Sequence, residues 1–261
     1  MKVDLSDKVA LVTGSGNGIG LAIADSFARN GAQVIYTDID VPAVKKEAAK
    51  FPSCRGCEMD VRKEDQVKDV VRKIMDEFGR IDILVNNAGV NTVKHRVTFD
   101  EFPKDEWDWI IETDLNGVVI VSRVVSPLMV AQQSGRIIHI SSICGLVALR
   151  LQSAYIAAKH AIVGLTRAMA IELAPKGVLV NAIAPGSTVS EGTKKLFYGP
   201  DGKFVDRIQR ILDHIPLGRP AKAEEIAHGA LFLAAPESAY ITGTVLTIDG
   251  GWTAGGYARD F

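Results

Sequence analysis

The chain has 261 residues, 47% of them apolar, enough for one large α/β domain with a sizeable core. Thirty basic residues against 31 acidic ones leave a formal charge of −1, which argues against the basic footprint of a nucleic-acid binder and the polybasic surface of a membrane-associated protein. Three cysteines, Cys54, Cys57 and Cys144, are too few and odd in number for a disulfide framework. Cys54 and Cys57 form a C-x-x-C, yet no further ligand stands at metal spacing, so no metal is expected. The first apolar run, Val9 to Val12, is shorter than the roughly 7–15 residues of a signal-peptide core. No run of residues approaches the roughly 18 apolar ones of a membrane span. A soluble cytoplasmic protein is expected, with no nucleic-acid or membrane partner.

Strand and helix patterns alternate along the whole chain. Lys8 to Thr13 reads as a strand, followed by glycines and a helix to about Arg29, then a strand over Gln33 to Asp38. Lys63 to Phe78 carries Val67, Val70, Val71, Ile74, Met75 and Phe78 at helical spacing. Ile81 to Val85 is a strand running into Asn86-Asn87-Ala88-Gly89. One long helix is predicted over Lys104 to Gln133, distorted at Pro127, then a strand over Gly135 to Ser142 and a helix over Ala154 to Ala174. A strand over Val178 to Ala184, a helix near Ala223 to Ala235 and a last strand over Val245 to Asp249 complete the pattern. Such alternation predicts a doubly wound, Rossmann-like, mostly parallel seven-stranded sheet with helices on both faces, in a single domain over residues 1–261. The glycine- and proline-rich stretch 185–221 is the one long irregular region, expected to be a substrate-binding loop.

Thr13-Gly14-Ser15-Gly16-Asn17-Gly18-Ile19-Gly20 follows the first strand and opens the first helix. It is a T-G-x-x-x-G-x-G turn and not a strict G-x-G-x-x-G, because Ile19 stands where the last glycine would fall. Small residues let a helix N-terminus approach a pyrophosphate, whose charge meets free N–H groups and the positive end of the dipole. Glycines also build ordinary tight turns; the position between strand and helix is what points to a dinucleotide. Asp38 ends the second strand, where a carboxylate accepts hydrogen bonds from the adenosine ribose and repels a 2′-phosphate. No Arg or Lys in the glycine turn offsets that repulsion. The expected cofactor is NAD.

Tyr155 and Lys159 are spaced i, i+4 on a predicted helix, so both leave one face a turn apart. A free tyrosine titrates near pH 10, and a neighbouring ammonium favours the phenolate, drawing Tyr155 toward the range where acid–base catalysis works. Ser142 ends the preceding strand, at the carboxyl edge where ligands bind, and its hydroxyl can hold a substrate oxygen. Singly, a Tyr/Lys pair is an ordinary surface feature and a serine at a strand end an ordinary cap.

In combination the chain resembles the short-chain dehydrogenase/reductase family over essentially its full length. The resemblance rests on the glycine turn, Asp60-Val61, Asn86 to Gly89, Ser141-Ser142, Tyr155-Ile156-Ala157-Ala158-Lys159 and Pro185-Gly186. It implies that Ser142, Tyr155 and Lys159 are the catalytic triad, with Tyr155 exchanging the proton and Lys159 tuning it and holding the nicotinamide ribose. Cofactor contacts are implied at Gly14, Asn17, Gly18, Ile19, Gly20 and Asp38. Asp60 and Val61 would flank the adenine, and Asn87, Ala88 and Gly89 the adjacent ribose. Pro185, Gly186, Thr188 and Ser190 would line the nicotinamide, Ser190 standing where many relatives have threonine. Relatives usually carry a fourth catalytic residue, an asparagine, in the long helix. Counting back from Ser142 puts Asp114 there, a group that when ionised accepts hydrogen bonds but does not donate them and that can pair with Lys159 and blunt its effect on Tyr155.

The expected reaction interconverts a secondary alcohol and a ketone. Asn91, Lys94, His95 and Arg96 follow Gly89, and Arg150 precedes Tyr155; such groups can receive a carboxylate or a hydroxyl-rich substrate. Relatives that oxidise sugar acids and polyols carry similar basic residues, so a sugar acid, polyol or similar small polar molecule is the first expectation. A 3-oxoacyl-thioester reductase is the second. A dinucleotide-binding sensor without turnover is a third, against which the complete Ser142, Tyr155 and Lys159 set speaks. The wide apolar surface of the long helix and the small residues of the Tyr155 helix predict a homo-oligomer, a tetramer as in most relatives, and the tail Gly255 to Phe261 is a further candidate contact.

Overall fold

The computed structural model describes residues 1–92, 95–189 and 206–255. Seven strands form one parallel sheet. They are β1 (Val9–Thr13), β2 (Gln33–Asp38), β3 (Arg55–Glu58), β4 (Ile83–Asn86), β5 (Gly135–Ile140), β6 (Val178–Pro185) and, last in the chain, β9 (Val245–Ile248). Their order across the sheet is β3-β2-β1-β4-β5-β6-β9. β3 is a polar edge strand that the hydrophobic pattern did not mark. Chain order reverses between β1 and β4, and in such sheets the crevice beyond the carboxyl ends at the reversal is where ligands bind.

Successive strand residues point to opposite faces, and each face has its own core. Ala10, Val12, Val34 and Tyr36 pack with Ile23 and Phe27 of α1 (Gly18–Arg29) and with Ile226, Ala230 and Leu231 of α8 (Ala223–Ala234). Val9, Leu11 and Ile35 turn the other way, onto Val67, Val71 and Ile74 of α3 (Glu64–Phe78) and Val121, Val125 and Met129 of α5 (Gly117–Ala131). The short α2 (Val41–Ala48) runs between β2 and β3. α6 (Ser153–Leu173) carries Tyr155 and Lys159.

The predicted long helix is present over Lys104–Ala131, two residues short of Gln133. Within it, α4 (Lys104–Ile111) passes into a π turn over Glu112–Asn116 before α5 begins, and Pro127 lies inside α5. The distortion sits earlier than the proline suggested. The combined span Lys104–Ala131 is long and apolar enough to cross a bilayer by length and composition, but its residues Val121, Val125 and Met129 are fully buried against the sheet. Region 185–221 contains a short parallel pair, β7 (Thr188–Val189) with β8 (Ala221–Lys222), and the helix α7 (Asp206–Leu212).

Candidate active site

The glycine turn joins β1 to α1 by backbone conformations that side chains disfavour: Gly14 and Gly18 have φ of +63° and +62°. A Cβ on Gly14 would lie 2.7 Å from the Ala88 Cα, and one on Gly16 3.0 Å from Asp38 Oδ2. Asn17 makes no side-chain cap and the first turn of α1 has no acidic residue, so its N–H groups remain available to an anion. Two residues lock this turn to the end of β4. The Thr13 hydroxyl accepts the backbone N–H groups of Asn87 and Ala88, each at 3.0 Å, and the Asn87 amide donates to the carbonyls of Thr13 and Gly14 at 3.0 and 2.8 Å. The Asn87 side chain is therefore engaged by the turn itself. Ser15 ties β1 to β2 in the same way, its hydroxyl accepting the Thr37 N–H at 2.9 Å.

A cleft of about 410 Å³ opens at this point, lined by Gly14, Asn17, Gly18, Ile19, Asp38, Asp60, Val61, Asn87, Ala88, Gly89 and Thr188, all expected cofactor contacts. Ile39, Met59, Arg62, Val90, Trp109 and Thr113 also line it and were not foreseen. Asp38 Oδ2 accepts the Gly16 N–H at 3.0 Å and Oδ1 the Asp40 N–H at 3.1 Å, which fixes the carboxylate beside the turn. Asp60 is gripped by the Arg62 guanidinium through bonds of 2.9 and 2.7 Å, which holds its carboxyl below the usual carboxylate range. Gly186 sits so close to β9 that a Cβ would lie 2.8 Å from the Asp249 Cα. Gly20, with neighbours Asn87 and Gly14, leaves no room for a side chain either.

Tyr155 sits in the first turns of α6, its ring packed beside Ile110, Ala154 and Ala158. Lys159 Nζ lies 5.4 Å from the centre of that ring. Its nearest charge is Asp114, whose Oδ2 is 3.0 Å away, and it also donates to the Ile140 carbonyl at 3.2 Å. Asp114 is fully buried by the π turn, and its other oxygen accepts the Val90 N–H at 2.7 Å. Gly89, on the cleft wall, separates this pair from the cleft: a Cβ there would approach Asp114 Oδ2 at 3.0 Å and Lys159 Nζ at 3.4 Å. Ser142 caps the turn Ile143–Gly145, its hydroxyl accepting the Cys144 N–H at 3.1 Å, and it helps to draw the Tyr155 phenol down.

Burial and two charges set the Tyr155 phenol. Burial pushes the Tyr155 phenol up, Lys159 pulls it down, and Asp114 pushes it up again, so the phenol stands above its ordinary value. The ammonium does draw the phenol downward, but its closest partner is Asp114. Burial disfavours the charge on Lys159, yet Asp114 and then Tyr155 outweigh it and keep the amine protonated. Asp114 is paired with Lys159, the pairing that an aspartate at this place allows.

Lys94 and Ser190 lie outside the described residues, as do Gly256 to Phe261 of the tail. Asn91 and Arg150 are exposed. His95 Nδ1 is 2.6 Å from Glu106 Oε2, and Arg96 stands close enough to Cys144 for its charge to act on that thiol. Glu106 was not foreseen; an acidic residue at the start of a helix gives no sign in sequence that it will be buried. His139 on β5 was also missed. It is fully buried, with Nδ1 3.2 Å from the Asn86 amide nitrogen.

The cleft fits a dinucleotide by shape and charge: side-chain-free walls at Gly14 and Gly89, unpaired N–H groups at α1, and a carboxylate at the far end of the turn. The comparisons with known proteins agree. A family model described as enoyl-(acyl carrier protein) reductase matches residues 14–253. The chain is 40% identical over 251 residues to the 3-oxoacyl-[acyl-carrier-protein] reductase FabG of Thermotoga maritima, covering 95% of this chain and 98% of that one. It is 39% identical to the D-beta-hydroxybutyrate dehydrogenase of Rhizobium meliloti (95% and 99% covered) and 36% identical to the NAD-dependent glycerol dehydrogenase of Listeria innocua (96% and 95%). Among solved structures, the crystal structure of gox2181 superposes with a TM-score of 0.89 at 30% identity, over 97% of this chain and 98% of the other.

Proposed function

This chain belongs to the short-chain dehydrogenase/reductase family, oxidoreductases that act on CH–OH groups with a nicotinamide dinucleotide, and from that premise we propose that it uses NAD(H) to interconvert a secondary alcohol and a ketone on a sugar acid, polyol or similar small polar substrate. The observation that carries the reading is Asp38, fixed by the Gly16 and Asp40 N–H groups at the rim of the glycine turn. A carboxylate there favours ribose hydroxyls and disfavours a 2′-phosphate. The Listeria relative is named as NAD-dependent.

When bound, the dinucleotide supplies the hydride. The chain's own residues do the rest. Gly14, Asn17, Gly18, Ile19 and Gly20 receive the pyrophosphate; Asp38 the adenosine ribose; Asp60 and Val61 the adenine. Asn87, Ala88 and Gly89 flank the adjacent ribose, and Pro185, Gly186, Thr188 and Ser190 line the nicotinamide. Tyr155 takes the alcohol proton in oxidation and returns it in reduction, Ser142 holds the same oxygen, and Lys159 supports the phenolate from one helical turn below. Asp114 keeps Lys159 charged and in place. Region 185–221 serves as the substrate loop. The partly buried Ile120, Val124 and Leu128 of α5 and the exposed Ile171 of α6 support a homo-oligomer built on those helices.

The test is a panel of sugar acids, polyols and an acetoacetyl thioester with NAD(H) and NADP(H), run on the wild type and on Tyr155→Phe. The expected result is NAD-linked oxidation of a polar alcohol, lost by several orders of magnitude in the variant while NAD binding persists. The second reading, a 3-oxoacyl-thioester reductase, is favoured by the 40% identity to the Thermotoga protein, and thioester reduction with NADPH alone would establish it instead.

A further inference from the structure

Two large apolar side chains stand exposed where they line the dinucleotide cleft, Ile39 at 69% and Trp109 at 40%. They come from different elements, Ile39 from the residue after β2 and Trp109 from α4. A single exposed apolar side chain needs no explanation, but two that line one concave site mark a surface that a ligand covers. Trp109, Thr113 and Gly117 are spaced four apart, so they run along one side of α4, the π turn and the start of α5. At the inner end Gly117 is buried on Val61: a Cβ there would lie 2.6 Å from Val61 Cγ2. Thr113, 9% exposed, lines the cleft one turn out, and its hydroxyl donates to the Trp109 carbonyl at 2.8 Å. Trp109 is the outermost of the three, so the ridge leads from Val61 to the cleft mouth and ends in a flat ring. Among the described residues no aromatic ring or cation stacks on that indole, whereas Trp107 is packed edge-on by Phe99 and Phe102. The nearby Asp60 carboxylate is already taken by Arg62, through bonds of 2.9 and 2.7 Å. Grip at this end of the cleft therefore falls largely to the apolar surfaces of Ile39, Met59, Val61 and Trp109.

We propose that Trp109 is a cofactor-binding residue: its indole stacks on the adenine ring of the bound dinucleotide at the mouth of the cleft and sets how tightly the cofactor is held. This rests on the dinucleotide reading above and adds to it a contact on α4, outside the glycine turn and the strand ends that carry the rest of the site. Stacking uses the π-face of the base, so the contact is indifferent to a 2′-phosphate on the ribose.

The experiment measures Kd by calorimetry for NAD and for ADP-ribose, which lacks the nicotinamide, on the wild type, Trp109→Leu and Trp109→Phe. Tryptophan emission is followed in the same titrations. One base–aromatic stack is worth about 1–3 kcal/mol, which is roughly 5- to 150-fold in affinity. Trp109→Leu keeps apolar bulk without the ring and should weaken NAD and ADP-ribose by the same factor, about tenfold. Trp109→Phe restores a ring and should recover most of that loss. ADP-ribose should quench the wild-type emission, and the quench should be missing in Trp109→Phe. kcat at saturating NAD should not fall in either variant, because the ring touches no reacting atom. Affinities in Trp109→Leu within about twofold of wild type, a loss for NAD with ADP-ribose unmoved, or Trp109→Phe as weak as Trp109→Leu would overturn the proposal. A changed oligomeric state with unmoved affinities places the indole in a subunit contact and overturns it too. If Trp109→Leu fails to fold, the wild-type quench by ADP-ribose and its loss in Trp109→Phe decide. A chain that binds NADP and 2′-phospho-ADP-ribose in place of NAD and ADP-ribose defeats only the NAD assignment, and the same variants read with those ligands still decide the stacking. One that binds neither dinucleotide defeats both.

Discussion

Replacing Asp114 by asparagine keeps the side-chain shape and an oxygen for the Val90 N–H at 2.7 Å, while removing the charge 3.0 Å from Lys159 Nζ. The two side chains are 0% and 6% exposed, so water screens them little. At an effective dielectric of about 20, unit charges at that distance attract by about 5–6 kcal/mol, and part of this offsets the cost of burying the ammonium. Breaking a buried pair from one side costs about 3–5 kcal/mol. For a chain of this size that corresponds to a fall in Tm of roughly 6–20 °C at fixed protein concentration. Asp114→Asn with Lys159→Met, which removes the stranded charge, should recover most of the loss. The same variant tests the chemistry. Asp114 pushes the Tyr155 phenol up, second to burial; without it the phenol falls. Alcohol oxidation needs the phenolate, so its rate rises with pH through the phenol's titration, and the rise must move to lower pH in Asp114→Asn. A Tm within 2 °C of wild type together with an unmoved pH limb refutes the ion-pair argument.

Gly14→Ala should abolish tight NAD binding in calorimetry and lower Tm, because its φ of +63° costs an alanine about 1–2 kcal/mol before the 2.7 Å approach to the Ala88 backbone is counted. Asp38→Ala should raise kcat/KM for NADP relative to NAD by about tenfold or more, by removing the repulsion of a 2′-phosphate; if NAD efficiency holds and NADP gains nothing, the NAD assignment is wrong. Burial lowers His139 from 6.5 to about 4. Between those values the unfolded chain binds a proton that the folded one refuses, so stability is intact above pH 6.5 and declines by on the order of 3 kcal/mol as pH falls to 4; denaturant titrations at pH 7 and 4.5 should show this slope in wild type and a flatter one in His139→Gln.

Alternating apolar patterns placed six of the seven sheet strands, because strands covered on both faces read as unbroken apolar runs such as Ile83-Leu84-Val85. β3 escaped, since Arg55-Gly56-Cys57-Glu58 lies at the edge, half-solvated, with no such run to betray it. The glycine turn, Asp38 and the Tyr155/Lys159 pair were legible because local spacing alone puts them together. The π turn was not. Pro127 was the expected distortion, yet α5 runs through it, and the widened turn came at Glu112–Asn116, where Asp114 meets Lys159. Which charge Lys159 faces depends on the π turn and α6 converging, with Asp114 and Lys159 45 residues apart in sequence, and no local pattern encodes that distance.

Glu106 and Asp114 belong to one device seen from two sides. They sit on α4 and the π turn that follows it, eight residues apart and both buried. Asp114 holds Lys159 below the phenol and the Val90 N–H at the start of the segment after Gly89. Glu106 holds His95 further along that segment. A straight α-helix would turn positions eight apart by about 80° relative to each other, and the extra residue of the π turn changes that angle, which is how one helical stretch can brace both the proton-transfer group and the segment beside it. The two carboxylates have no shared partner, so Asp114→Asn and Glu106→Gln should combine additively in stability. A loss in the double variant that departs from the sum of the single losses would show that the two anchors hold one another.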